Sequence, residues 1–204
     1  MARIPAAERR RALVEAALRV MVRDGVAAAT TRAIVAEADM PLASFHYCFR
    51  AKEELLGEVV VASVERILDA VEVTLRPGED VRSAIREGTR AYWSLVEAEP
   101  GRHQITYELT QYALRTPGLE HLAAYQYERY LAAATAFLTD LGEHAGVTWS
   151  VPLPVVARMV ITVLDGLTLS WLADHDSEQV TGTLDAFGAA IATLAAPGRS
   201  RRTA

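Results

Sequence analysis

The sequence predicts an all-α fold of about nine helices, and three observations carry that expectation. Apolar residues recur at helical spacing through nearly every segment. No stretch alternates apolar and polar residues as a half-buried strand would. The prolines and glycines fall mostly between the periodic segments, where they end helices and make turns. With 204 residues, 51% hydrophobic and 23% charged, the chain can fill a sizeable core and is too apolar to be disordered.

Taken in order, Leu13/Val14, Ala17/Leu18 and Met21 mark a first helix that stops at Asp24-Gly25. Thr30 or Thr31 offers an N-cap to a second, running to about Ala38. Asp39-Met40-Pro41 breaks it, and a third, very short helix follows, crowded with Phe45, His46, Tyr47, Cys48 and Phe49. From Glu53, the series Leu55, Leu56, Val59, Val60, Ser63, Ile67, Leu68 and Val71 predicts a long helix ending before "RPGED". Val81, Ile85, Tyr92 and Val96 predict another, closed by Glu99-Pro100-Gly101. Residues 102–115 and 119–145 are separated by Thr116-Pro117-Gly118, and the final pair spans about 152–174 and 178–196.

A single cysteine, Cys48, rules out an intramolecular disulfide and suits a reducing cytoplasm. The start, "MARIPAAERRR", has basic residues but no apolar stretch behind them, so no secretory signal is expected. The segment 155–172 is apolar enough to raise a membrane question, but it carries Arg158 and Asp165. Each charge near a bilayer centre costs roughly 2.5–3.5 kcal/mol, so a helix covered on both sides by protein is the expectation.

The net charge of −5 hides a division. Residues 1–52 hold nine Arg/Lys against five Asp/Glu, whereas the remainder holds twelve against twenty-one. A basic front on an acidic body suggests that the front meets a polyanion. A domain boundary is therefore expected near residue 52, separating residues 1–52 from residues 53–204.

Two short helices with a tight turn, preceded by a third, make a helix-turn-helix unit. Ala33, Ile34, Val35 and Ala38 supply the inward face of the first of the pair. Pro41 makes the break and holds Met40 extended. The second helix must be short and must turn small or hydrogen-bonding side chains outward. Ala43, Ser44, His46 and Tyr47 suit that role, while Phe45 and Phe49, four apart, turn inward. Arg50 and Lys52, the only lysine, follow where the next helix begins.

The run from Arg11 to Leu56 resembles the DNA-binding domain of the TetR family of transcriptional repressors, through "TTRAIV", "EAD", "ASFHYCF" and "KEEL". The resemblance covers about 45 residues; beyond them it lies in helix number and length. It implies that Thr31 touches the DNA backbone and that Arg32 reaches a phosphate or a guanine edge. It further implies that Ala43, Ser44 and His46 face bases and that Tyr47 and Lys52 clamp phosphates. The sequence departs from the family pattern at Asp39-Met40-Pro41, where Gly-Val-Ser is usual, so a left-handed turn residue would have to be Asp. His46 stands where Tyr is common, and Cys48 where His is common.

Other chemistry has little support. His46 and Cys48, two apart, diverge by about 200° on a helix, which is poor geometry for one metal. No Gly-rich phosphate loop, metal cluster or paired carboxylates stand out, and neither cofactor nor catalytic residue is expected.

One recognition helix has too small a footprint for tight specific binding, so a homodimer is expected. Val180, Leu184, Phe187, Ile191 and Leu194 form an a/d-like seam on the last helix. Gly166 and Ser170 would let another helix approach, completing a four-helix bundle across a two-fold axis. The alternative is that both helices complete a monomeric core. The middle of the chain is rich in aromatics, and Tyr92, Trp93, His103, Tyr107, Gln111, Tyr127 and Trp171 are candidates to line a small-molecule pocket. For each aromatic among them, the core is the more frequent place at helical spacing. Glu108 and Asp165 either enter that pocket or cap and solvate helices.

The expected protein is a cytoplasmic, ligand-responsive transcriptional repressor that binds an inverted-repeat operator on double-stranded DNA and is released by a small-molecule effector. A small helical ligand-carrier or enzyme using the aromatic pocket is the alternative.

Overall fold

The computed structural model describes residues 5–70 and 80–197. Among them are nine α-helices: α1 (Ala6–Asp24), α2 (Thr31–Glu37), α3 (Leu42–Cys48), α4 (Lys52–Ala70), α5 (Val81–Ala98), α6 (Pro100–Arg115), α7 (Glu120–Ala145), α8 (Leu153–Asp174) and α9 (Ser177–Ala192). One 3₁₀ turn, Val26–Ala28, links α1 to α2. The expected end of the long helix α4 and the basic tail "GRSRRTA" lie outside the described residues.

Local chemistry sets most boundaries. The Gly25 N–H closes α1 on the Met21 carbonyl at 2.7 Å, with φ at 86°, a conformation that costs glycine little. Thr30, not Thr31, caps α2: its hydroxyl oxygen accepts the Ala33 N–H at 3.1 Å. Asp39 takes the left-handed turn conformation, φ 51°, between α2 and α3. His175 ends α8 in the same region, φ 57°, and Asp176 then caps α9 by accepting the Gln179 N–H at 2.9 Å.

The structure differs from the expectation at the C-terminal end. Val147–Trp149 and Ala195–Pro197 form two short strands, β1 and β2, paired antiparallel with Val147 opposite Pro197 and Trp149 opposite Ala195. The last helix therefore stops at Ala192 instead of 196, because Ala195–Pro197 turns to pair with β1. Three-residue strands leave no readable alternation.

The chain divides into two compact units, residues 1–66 with 99–127, and residues 67–98 with 128–204. In the first, Leu13, Leu18 and Met21 of α1, Ile34 of α2, Phe45 of α3 and Leu55, Leu56 and Val59 of α4 are buried. Phe45 and Phe49 are each 1% exposed, as the sequence leads one to expect, and burial stabilises each by about 1.5–3 kcal/mol. α6 also belongs to this unit and packs on α1 and the 3₁₀ turn.

In the second unit, α9 lies along α5. One buried cluster joins Ile85, Leu138, Leu141, Val156 and Ile191; another joins Trp93, Val96, Trp171, Val180 and Leu184. α8 has 22 residues and a mean hydropathy of 1.6 in its most apolar window, long and apolar enough to cross a bilayer by length and composition. Within the chain, only Val156, Ala157, Thr168 and Trp171 of it are buried.

Candidate functional site

The surface of α3 is built by what its inward residues hold. Phe45 and Phe49 pack against each other, ring centroids 5.5 Å apart, and fix the helix on the core of the first unit. That leaves Leu42, Ala43, His46 and Tyr47 exposed, Tyr47 by 64%, with Ser44 half-buried. Arg32, one residue into α2, is exposed; Thr31 and Lys52 are half-buried, each opening its helix. The predicted DNA-facing residues thus lie on α2, on α3 and at the start of α4, all within one compact unit. α3 has seven residues, and packing, more than helix propensity, holds it.

Arginines of α1 brace this arrangement. Arg10 lies over the Phe49 ring, 4.2 Å from its centroid, donates to the Cys48 carbonyl, and pairs with Glu54 at 2.6 Å and Glu58 at 2.5 Å. The Glu54 carboxyl is held below its usual range, chiefly by the hydrogen bond from Arg10. Arg19 and Arg23 both reach Glu37 of α2, at 2.8 and 2.9 Å, and their hydrogen bonds lower its carboxyl likewise. Part of the basic charge counted in residues 1–52 is therefore paired within the first unit, Arg10 with carboxylates of α4. Sequence reasoning did not find these braces; the basic run "ERRRAL" holds Arg10 but neither Arg19 nor Arg23.

Glu108 of α6 serves as a cap: its carboxylate accepts the Val26 N–H at 2.9 Å, across 82 positions of sequence. Two further points tie α6 to α1. Arg102 pairs with Glu15 at 3.4 Å, and Gly101 lies so close to Val22 that a Cβ there would come within 2.8 Å of its Cγ1. At the start of α6, Arg66 holds Glu99 by two hydrogen bonds and keeps its carboxyl below the usual range.

Two family descriptions match the chain: "Bacterial regulatory proteins, tetR family" over residues 13–59, and "Tetracyclin repressor-like, C-terminal domain" over residues 86–196. The chain belongs to the TetR family. It is accordingly a DNA-binding transcriptional regulator of the helix-turn-helix type, with α2 and α3 as the motif. It is 28% identical over 172 residues to the nicotine-responsive transcriptional repressor HdnoR of Paenarthrobacter nicotinovorans, covering 84% of this chain and 88% of that one. Among solved structures, the multidrug binding protein EbrR in complex with imidazole is 29% identical, with a TM-score of 0.63 over 87% of this chain and 88% of the other. A TetR-family regulator from Mesorhizobium loti reaches a TM-score of 0.77 at 16% identity, over 95% and 99% of the two chains, and shows the shared fold.

The seven candidate pocket residues divide between the two units of this TetR protein. Tyr92, Trp93 and Trp171 are in the second. Trp93 and Trp171 meet edge to face, centroids 5.3 Å apart, and both are buried in the apolar cluster with Leu184. The Trp171 indole N–H donates to the Ser177 hydroxyl at 3.0 Å, whereas the buried Trp93 N–H has no hydrogen-bond partner among the described residues. The Tyr92 hydroxyl bonds that of Thr168 at 3.0 Å.

His103, Tyr107, Gln111 and Tyr127 are in the first unit. Along α6, His103 is buried, Tyr107 half-buried and Gln111 exposed, so this face runs from core to solvent in two turns. Burial pushes His103 down to about 4, with the nearby Glu99 charge opposing, so its ring is neutral at pH 7. Next to it on α6, Thr106 and Thr110 are buried, and the Thr110 hydroxyl lies 3.1 Å from the Gln126 side-chain oxygen.

The candidate dimer residues separate as well. Val180, Leu184 and Ile191 are buried within their own chain, and Phe187 is half-buried. Gly166 and Ser170 of α8 are exposed, and a Cβ at Gly166 would meet nothing within 4 Å.

Proposed function

We propose that this protein is a homodimeric, effector-responsive repressor that binds an inverted-repeat operator, with residues 1–52 as the reading head and residues 53–204 as the effector-binding and dimerisation domain. The exposed outer face of α3 carries this reading: a helix held by two buried phenylalanines turns Ala43, His46 and Tyr47 outward, where a major groove would receive them. Ala43, Ser44 and His46 read bases; Thr31, Arg32, Tyr47 and Lys52 hold phosphates. Family membership supports binding over catalysis as its task.

Dimerisation is assigned to α8. Val155, Met159, Thr162, Gly166 and Leu169 are exposed at steps of four, three, four and three, an a/d-like stripe of apolar and small residues. On a lone chain this stripe faces water; on a pair it becomes the centre of a bundle.

The effector is assigned to the α6 face of His103, Tyr107 and Gln111, with Tyr127 of α7. What favours this face is that α6 also holds the head, through Glu108 to Val26 and Arg102 to Glu15. A ligand that displaces α6 alters those contacts and changes how the head is presented, so effector and DNA binding oppose one another. The relative named as nicotine-responsive, with EbrR solved in complex with imidazole and with ethidium, favours a nitrogen-containing aromatic as effector.

Selection of bound duplexes from a random DNA pool tests the reading directly. An enriched inverted repeat is expected, and nicotine added to the complex is expected to release it. A folded sample that enriches no sequence contradicts the reading head; enrichment of a single, unrepeated half-site contradicts the dimer.

A further inference from the structure

The phosphate contacts assigned to Thr31, Arg32, Tyr47 and Lys52 hold a duplex without reading it. Discrimination between base pairs has to come from the side chains of α3. Its seven residues, Leu-Ala-Ser-Phe-His-Tyr-Cys, include no Arg, Lys, Asn, Gln, Asp or Glu. The side chains that pair with guanine or adenine through two hydrogen bonds, or accept from cytosine, are therefore missing from this helix.

What α3 does turn outward is largely apolar. Leu42, Ala43, His46 and Tyr47 are exposed, with Ser44 half-buried. Leu42 is the one large aliphatic among them, 40% exposed. A single exposed leucine is ordinary on a protein surface. This one opens the helix read as DNA-facing, where the first side chains are those that meet base edges. It stands four residues before His46, on the same side of the helix, and next to Ala43, whose methyl extends the apolar surface.

The major groove offers one apolar group that matches such a surface, the C5-methyl of thymine, which none of the other three bases carries. Contact between that methyl and the leucine side chain removes both from water, and no other base gives the same gain.

We infer that Leu42 is a specificity-determining residue that packs on a thymine methyl, so that the operator is selected at this position by apolar contact instead of paired hydrogen bonds. This rests on the reading of α3 as the DNA-facing helix, and it adds to the base-reading set a residue whose side chain forms no hydrogen bond.

The probe is the duplex enriched from the random pool, made again with one thymine at a time replaced by deoxyuridine. Deoxyuridine keeps the pairing edge and the O4 acceptor and loses only the methyl. One such replacement is expected to weaken binding of the unmodified protein about fourfold, the worth of one buried methyl. Leu42→Ala should bind the all-thymine duplex more weakly, and for this variant the same replacement should cost less than about twofold, because the partner of the methyl is gone. Ser44→Ala should keep the full deoxyuridine effect. A duplex of arbitrary sequence should be bound equally well by Leu42→Ala and the unmodified chain, since the phosphate contacts are untouched. Thermal melting by circular dichroism should give both variants the wild-type midpoint.

If the enriched duplex is bound and no deoxyuridine weakens it, the apolar contact is wrong while the reading head stands. An equal deoxyuridine effect in Leu42→Ala assigns the methyl to another side chain and overturns the role of Leu42. A loss by Leu42→Ala that is the same on the arbitrary duplex makes its effect structural, which overturns it as well. Failure to enrich any duplex removes the reading head itself, and this inference with it.

Discussion

Helices α8 and α9 look alike in sequence and end up in opposite situations. Each is rich in apolar residues, and each carries an a/d-like series. The series on α9, Val180, Leu184 and Ile191, is buried against its own chain along α5. That on α8, Val155, Met159 and Leu169, is exposed, Leu169 by 58%. Periodicity says which face of a helix is apolar; it does not say whether the cover comes from the same chain or from another.

The sharpest test of this contrast is Ile191→Ala. Ile191 is fully buried, so truncation should cost about 2–5 kcal/mol in urea unfolding, through lost transfer energy and an unfilled cavity. A variant that kept its stability and instead fell apart into subunits would return α9 to the interface. A second buried position, on α6, predicts a pH effect nearly as large. His103 titrates near 4 in the folded chain and near 6.5 when unfolded, so the unfolded state binds the extra proton between those values. Stability should therefore fall as pH drops from 6.5 to 4, by about 3 kcal/mol in total, and His103→Gln should flatten that window. The carboxylates of Glu37, Glu54 and Glu99, each lowered by arginine, lose their contribution at lower pH, below about 4.5.

For α8 the expected signature is reversed. Met159→Glu with Leu169→Glu should change the unfolding free energy of the separated subunit by less than about 1 kcal/mol, since both side chains already face water. Sedimentation is nevertheless expected to give monomers for this variant and dimers for the unmodified chain. An unchanged dimer would remove the α8 stripe from the interface. The smallest effect belongs to the turn before α3, where Asp39→Gly should gain about 0.5–1 kcal/mol by relieving the left-handed strain at φ 51°. A loss there would show that the Asp39 side chain contributes more than its backbone conformation costs.

What the sequence discloses follows the range of the interaction. The Thr30 cap, the break at Pro41, the Gly25 stop and the inward phenylalanines rest on chemistry within a few residues, and each is legible in the string. The outward face of α3 is legible for the same reason, because two inward residues four apart define it. The Glu108 cap on Val26, the Arg10 brace and the β1–β2 pairing join positions 82, 38 and 46 to 50 apart, and no local pattern announces them. The aromatic residues fall between these cases. Helical spacing places His103, Tyr107 and Gln111 on one face, but only the folded chain shows that face running from buried to exposed.

The placement of the tryptophans has a practical consequence. All three, Trp93, Trp149 and Trp171, belong to the second unit, and none to the unit that carries the head. Tryptophan fluorescence, excited selectively over tyrosine, therefore watches one half of the molecule without any label, while the amide circular dichroism of the helices watches both. Trp93 and Trp171, nearly perpendicular at 84° and 5.3 Å apart, should also give an exciton couplet that vanishes when their cluster loosens. Melting curves from the two signals that coincide would show the halves unfolding together; curves that separate would time the loss of the emitting half against the rest.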